Sequence, residues 1–234
     1  MNSSRHSRIV SGYFASIAAW YDFLNHFLSI GQDIYWRKRL TSHVRIQEQA
    51  LVADLAAGTL DLTREILKKN PGARVLGLDY TLPMLVRGRS KLNFARSRSS
   101  LVQADGRSLP LEDSSMDAVT IAFGIRNILP RDQAFREIIR VLKPGGRLCI
   151  LEFGTGRKKI LGGLYNFYLT KVLPLMGRLF SRDKGAYRYL AESIRDFPDE
   201  DQLALEMHRA GFSRVFYYPL SAGIVYVHVG QKAS

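Results

Sequence analysis

From residue 49 onward the chain alternates short apolar runs with amphipathic segments, and that alternation restricts the fold more than any other feature. Residues 50–55, 74–79, 101–103, 118–123 and 147–153 are too short for buried helices and rich in Val, Leu and Ile, which predicts strands buried on both faces. Residues 61–69 read as an amphipathic helix closed by Asn70-Pro71-Gly72. After Pro130, the residues Ala134, Phe135, Ile138, Ile139 and Leu142 recur on one helical face, and Lys143-Pro144-Gly145-Gly146 is expected to stop that helix. Strand–helix alternation of this kind predicts an α/β fold with a mostly parallel, doubly wound sheet covered by helices on both faces. Residues 214–218 and 224–229 flank Pro219-Leu220-Ser221-Ala222-Gly223 and predict an antiparallel hairpin at the sheet edge. The first 48 residues read as a helical cap.

At 234 residues the chain is long enough for one sizeable core and short for two, so a single domain spanning 1–234 is expected. Its 46% apolar and 24% charged content excludes wholesale disorder, collagen and coiled coil. A net charge of +13 points to a polyanionic neighbour: nucleic acid, an anionic membrane surface or an acidic substrate. The single cysteine, Cys149, lies in an apolar run and fits a reducing compartment. The first ten residues are polar and basic and lack the apolar core of an export signal, which predicts a cytoplasmic protein. Residues 160–180 are the most membrane-like stretch, but Gly162, Gly163, Lys171, Pro174 and Arg178 interrupt them too often for a spanning helix. Residues 87–100, with five basic residues and no acid, read as a solvated helix face.

In an open parallel sheet, ligands bind beyond the carboxyl ends of the strands. The first predicted strand runs into Asp54-Leu55-Ala56-Ala57-Gly58-Thr59-Leu60-Asp61, whose small residues let a ligand approach the backbone. A dinucleotide site would need three glycines to bring a pyrophosphate onto the next helix, and this loop has one. Asp79 ends the second strand, where a carboxylate can accept from ribose hydroxyls. Asp105 follows the third, where it can receive an adenine amino group. A strand-end Asp alone is more often a helix cap. The three features in succession describe a nucleoside-binding edge without phosphate-gripping machinery, which points to S-adenosylmethionine.

The chain resembles the class I S-adenosylmethionine-dependent methyltransferases, and more closely the ubiquinone/menaquinone biosynthesis C-methyltransferases. The resemblance spans nearly the whole chain. It rests most on Phe123-Gly124-Ile125-Arg126-Asn127 and on the N-terminal block of Phe14-Ala15-Ser16-Ile17-Ala18, Tyr21-Asp22, Asn25 and residues 28–37. Arg140 to Gly146, Leu151-Glu152-Phe153, Tyr189-Leu190, Glu192-Ser193-Ile194 and Ala210-Gly211-Phe212 extend it. It implies a seven-stranded sheet, and a cofactor held by Gly58, Thr59, Asp79, Asp105 and Gly106. Leu60 stands where the family pattern has a second glycine, so its side chain is expected to point away from the methionine moiety. Ala122 stands where a serine is expected, so contact there must come from backbone.

The resemblance further implies a ring carbon of a polyprenyl quinol as methyl acceptor, demethylmenaquinol ahead of 2-methoxy-6-polyprenyl-1,4-benzoquinol. The quinol hydroxyl resembles a phenol of pKa ~10, so ionising it at neutral pH costs about 4 kcal/mol. Arg126, directly after the fourth strand, is the candidate for stabilising the quinolate; a water would take the proton, with Asn127 orienting that water or a ring oxygen. A purely structural ion pair is the competing role for Arg126. Tyr21 and Asp22 are candidates for closing the site.

The five histidines and one cysteine show no metal-ligand spacing, so no metal is expected. Residues 155–189 carry eight basic residues against one acidic among many apolar ones, which predicts a basic amphipathic insertion docking peripherally on the anionic inner face of the membrane. A homodimer contact or a merely core-covering insertion is the competing use for such a segment. An RNA methyltransferase would want a base-clamping motif, and none is seen, so nucleic acid is not an expected partner. Leu60 and Ala122 alone favour a non-catalytic cofactor-binding module.

Overall fold

The computed structural model describes residues 3–18, 20–154 and 184–234. Helices α1 (Ser3–Ile17), α2 (Tyr21–Leu28) and α3 (Gln32–His43) precede the sheet, as the cap reading expects. The chain then runs through β1 (Leu51–Leu55), α4 (Asp61–Lys69), β2 (Arg74–Asp79), α5 (Leu82–Gly88) and β3 (Ser99–Gln103). It continues with β4 (Met116–Ala122), α6 (Arg131–Val141), β5 (Leu142–Phe153), α7 (Lys184–Arg195), α8 (Glu200–Arg209), β6 (Arg214–Leu220) and β7 (Val225–Gln231). One seven-stranded sheet results, ordered β3-β2-β1-β4-β5-β7-β6. Pairing is parallel from β3 to β5; β7 is antiparallel to both β5 and β6, so the predicted hairpin closes one edge.

Each face of the sheet carries its own apolar core. On one, Leu62, Ile66 and Leu67 of α4 join Trp36 and Leu40 of α3 against Val52 and Val75. On the other, Phe135 and Ile138 of α6 meet Leu203 and Met207 of α8 over Ala53, Val119 and Ile150. The helical periodicity alone identifies these inward residues, because positions three and four apart share one side of a helix. Helix α8 starts on a capping box, with the Asp199 carboxylate accepting from Gln202 N and the Gln202 side chain accepting from Asp199 N.

Three expectations need correcting. The strand predicted from residue 147 starts at Leu142: α6 ends at Val141, as the stop signal expects, but Lys143-Pro144-Gly145-Gly146 lies within β5 as an irregularity, with Leu142 pairing Met116 and Arg147 pairing Ala118. Lys143 Nζ meets Asp117 Oδ1 at 2.7 Å, and Gly145 has a φ of +75°. β3 is not buried on both faces, because as an edge strand it has only β2 beside it. The basic stretch is not a fully solvated helix face: Arg89–Arg98 is a 3-10 segment that buries Leu92 and Ala95. Its Lys91 Nζ sits 2.7 Å from both Asp22 Oδ2 and Asp61 Oδ1. Most of the basic insertion read from the sequence, residues 155–183, lies outside the described residues. Among the described residues no helix is long and apolar enough to cross a membrane.

Candidate active site

The carboxyl ends of β1, β2 and β4 and the loop beyond β3 open onto one cavity with roughly 700 Å³ of empty space, partly continuous with solvent. Gly58, Asp79, Asp105, Gly106 and Asn127 all line it, so four of the five expected cofactor residues converge with one of the two expected catalytic ones. Thr59 and Arg126 do not line it.

The loop after β1 bends through positive φ at Ala56, Gly58 and Leu60 (54°, 54° and 68°). Asp79, at the end of β2, holds the bend, its Oδ2 accepting from Gly58 N at 2.8 Å and its Oδ1 from Thr81 N at 2.7 Å. Burial raises the Asp79 carboxyl above its ordinary pKa, while those two N–H groups pull it back. Beneath the loop, Asp54 is fully buried and accepts from the hydroxyls of Thr63 and Thr120 at 2.6 and 2.9 Å, and burial pushes it up to about 6. A Cβ at Gly58 would project between Met84 Cε at 3.7 Å and Tyr21 Cε1 at 4.0 Å, both cavity-lining residues, so the glycine leaves bare backbone facing a ligand.

Leu60 takes the left-handed conformation expected of glycine, and its side chain is fully buried, away from the cavity. It fills the space over Gly77 and Gly88: a Cβ at those positions would come within 3.0 Å of Leu60 Cδ2 and 2.9 Å of Leu60 Cγ. Ala122 lines the cavity and offers no side-chain hydrogen bond. Asp105 is turned toward Arg107, accepting from its backbone N, Nε and Nη2 at 3.0, 2.9 and 2.5 Å, and those bonds hold its carboxyl below the usual range. Thr59 ties the loop to the cap instead, donating to Asp22 Oδ1 at 2.5 Å. Although burial pushes Asp22 up, hydrogen bonds from Lys91 and Thr59 hold it below the usual carboxylate range.

Of the two candidates for closing the site, Tyr21 lines the cavity and Asp22 does not. Sequence reasoning missed α1, whose Ser7, Val10, Ser11 and Phe14 form the remaining wall. Thr81 Oγ1 bonds Ser11 Oγ at 3.0 Å and Arg107 Nη2 donates to Ser7 Oγ at 3.2 Å. The spacing of Ser7, Ser11 and Phe14 on one helical face was the available signal.

On the opposite side, the 3-10 turn Ile125–Asn127 carries the expected catalytic pair past the end of β4. Arg126 is buried, with Nη1 donating to Glu152 Oε1 at 2.8 Å and to Phe123 O at 2.5 Å. Its guanidinium lies 5.8 Å from the Phe153 ring centre. Glu152 is 1% exposed; burial raises its pKa despite Arg126. Sequence reasoning gave Glu152 no role, although a lone carboxylate inside the apolar run 148–153 was the signal. Asn127 Oδ1 accepts from Tyr189 of α7 at 2.8 Å. Cys149 lies buried in β5, its thiol pushed up to about 12 by burial. Among the described residues no three His, Cys, Asp or Glu side chains are grouped to hold a metal.

The cavity suits a nucleoside donor: bare backbone at Gly58, a strand-end carboxylate at Asp79, apolar walls from Met84, Ala104 and Phe14, and no phosphate-gripping glycine triplet. A solved S-adenosylmethionine-dependent methyltransferase from Thermotoga maritima shares the fold at a TM-score of 0.67 and 16% identity, over 95% of this chain and 99% of that one. One from Aquifex aeolicus does so at 0.62 and 17%, over 86% and 91%. Sequence relatives are nearer. The ubiquinone/menaquinone biosynthesis C-methyltransferase UbiE of Pseudomonas paraeruginosa is 42% identical over 232 residues, 98% of this chain and 91% of the relative. The demethylmenaquinone methyltransferase of Thermus thermophilus is 42% identical over 219 residues, 94% and 99% of the two chains. Since the family model described as ubiE/COQ5 methyltransferase matches residues 1–232 as well, the chain belongs to that family of S-adenosylmethionine-dependent C-methyltransferases.

Proposed function

We propose that the chain methylates a ring carbon of a polyprenyl quinol in quinone biosynthesis, with demethylmenaquinol as the preferred acceptor. The observation that carries this reading is the buried cation Arg126 at the end of β4, next in sequence to Asn127, which lines the cofactor cavity. The relatives named above support the acceptor class, and the Thermus protein is named for demethylmenaquinone alone.

S-adenosylmethionine supplies an electrophilic methyl group on a positively charged sulfur. Asp79 would hold the ribose hydroxyls, the Asp105–Gly106 segment the adenine, and the Gly58 loop the methionine part. Thr59 acts through Asp22, pinning the loop to α2. Because the leaving thioether is neutral, alignment and activation of the ring dominate the barrier. Only the reduced, electron-rich ring is nucleophilic at carbon. Arg126 would stabilise the quinolate and Asn127 would orient a ring oxygen. The prenyl chain keeps such an acceptor in the bilayer, so we include contact with an anionic membrane surface. Residues 155–189, with eight basic residues against one acidic, are the candidate for it.

Incubation with labelled S-adenosylmethionine and each reduced quinol, scoring methyl on carbon, tests the reading. Label on demethylmenaquinol before the benzoquinol is expected, and transfer to neither overturns it.

A further inference from the structure

The Arg126–Glu152 pair is buried yet incomplete. Arg126 Nη1 and Glu152 Oε1 meet at 2.8 Å, and Phe153 N donates to the same Oε1 at 3.0 Å. Arg126 Nε and Glu152 Oε2 have no hydrogen-bond partner, although both atoms are sealed from water. A buried donor and a buried acceptor left unpaired each carry a desolvation penalty that native proteins rarely leave uncompensated. Arginine and carboxylate ordinarily meet through two parallel bonds, which would satisfy both atoms. Here one bond forms, and the pair keeps one N–H and one oxygen lone pair on adjacent side chains. That is the complement of a hydroxyl group, which accepts through oxygen and donates through hydrogen. The flanking residues Phe123 and Asn127 line the cofactor cavity, and α7 approaches the same turn through the Tyr189–Asn127 bond.

Resting on the quinol reading above, we propose that Arg126 Nε–H and Glu152 Oε2 receive the hydroxyl of the quinol, and that Glu152 is the base that takes its proton. The O–H bond breaks, the proton passes to Glu152 Oε2, and its electron pair stays on the quinolate oxygen beside Arg126. The ring carbon then bonds to the methyl group as the carbon–sulfur bond breaks, the pair remaining on sulfur as neutral thioether. The resulting dienone loses its ring C–H proton to water, while the Glu152 proton returns to oxygen. One proton is released per methyl transferred. Water need not enter before transfer, and the raised carboxyl of Glu152 is better matched to a phenol than an ordinary carboxylate.

The test is single-turnover methylation of reduced demethylmenaquinol by the full chain and by Glu152→Gln, from pH 5 to 9. The binding of S-adenosylhomocysteine is measured in parallel by calorimetry. The groups facing Glu152 are Arg126 and Tyr189, with His6 and Tyr13 of α1 behind Tyr189 and Tyr21 of α2 facing Arg126. Tyr189 is pushed up to about 12, and His6 is held below its ordinary value by burial and Arg107, so neither gives a limb at neutrality. Glu152→Gln is expected to slow transfer at neutral pH by about 10²–10⁴-fold with product affinity unchanged. Its remaining rate should climb tenfold per pH unit, because the quinol must then ionise unaided. A deficit that is constant across pH, or no deficit, overturns the proposal while leaving the quinol reading intact. Failure of the unaltered chain to methylate any quinol overturns both. If the Gln chain does not fold, the unaltered chain decides. A rate that falls as pH drops through a carboxylate titration supports the proposal, and one that rises steadily toward pH 9 overturns it.

Discussion

The two sides of the cavity hold their carboxylates in opposite ways. At the ends of β2 and β3, Asp79 and Asp105 are already committed to donors, the first to Gly58 N and Thr81 N and the second to Arg107. Next to the cavity-lining Phe123 and Asn127, Arg126 of the turn after β4 and Glu152 of β5, which do not themselves line the cavity, each leave one buried atom without a partner. The first side has its shape before any ligand arrives, and ligand binding there reuses second lone pairs on oxygens that are already fixed. The second side is completed by what it binds. A preorganised donor site beside an incomplete acceptor site lets the reactive cation be held in place ahead of the acceptor.

Arg126→Ala should break this contrast most severely. Loss of a charge-stabilising group in a dry site is worth about 10²–10³-fold in kcat, while S-adenosylmethionine affinity survives. Stopped-flow turnover beside calorimetry checks this, and equal turnover would remove Arg126 from the chemistry. Asp54→Asn probes the footing of the preformed side. With a folded pKa of about 6 against 3.8, Asp54 stabilises the fold fully below pH ~3.8, and that contribution is lost as pH rises to about 6. The stability difference between Asn variant and parent should therefore shift by about 2 kcal/mol in the variant's favour between pH 4 and 7. Denaturant melts at the two pH values measure it.

Asp79→Asn presents an amide NH₂ to one of the two N–H groups that its carboxylate now receives. With a charged hydrogen bond worth about 1.5–3 kcal/mol, binding of S-adenosylhomocysteine should weaken by roughly ten- to hundredfold. Saturated turnover with quinol should change far less; a kcat loss matching the affinity loss would show that the two sides do not act separately. Leu60→Gly should have the smallest effect. Relieving a left-handed leucine returns ~1–2 kcal/mol, but emptying a buried leucine site costs about 2–5, so the fold loses ~1–3 kcal/mol. Cofactor affinity should hold within a factor of about two, since the side chain is turned away from the cavity; a thermal melt and one titration decide it.

The preformed side was also the more legible in sequence. β2 and α4 match their apolar patterns residue for residue, and Asp79 was found by its place at a strand end, because a strand's buried alternation and the loop after it are local properties. The start of β5 was read at residue 147 instead of Leu142 because pairing of Leu142 with Met116, a long-range contact, extends the strand back through Lys143-Pro144-Gly145-Gly146. The wall from α1 and the Arg126–Glu152 contact join residues far apart in the chain; helical spacing marks which α1 side chains share a face, but not what that face meets. Leu60 was flagged as unsuited to its backbone, yet the compensation lies in Gly77 and Gly88, on other elements.

That last arrangement ties the bend at residue 60 to two other elements, though not in the same way. A methyl group at residue 77 would meet Leu60 Cδ2 at 3.0 Å and Leu101 Cδ2 at 3.1 Å, whereas one at residue 88 would run into Thr59 O before it reached Leu60 Cγ at 2.9 Å. Two side chains crowd the first position, and the loop's own backbone keeps the second bare whatever stands at residue 60.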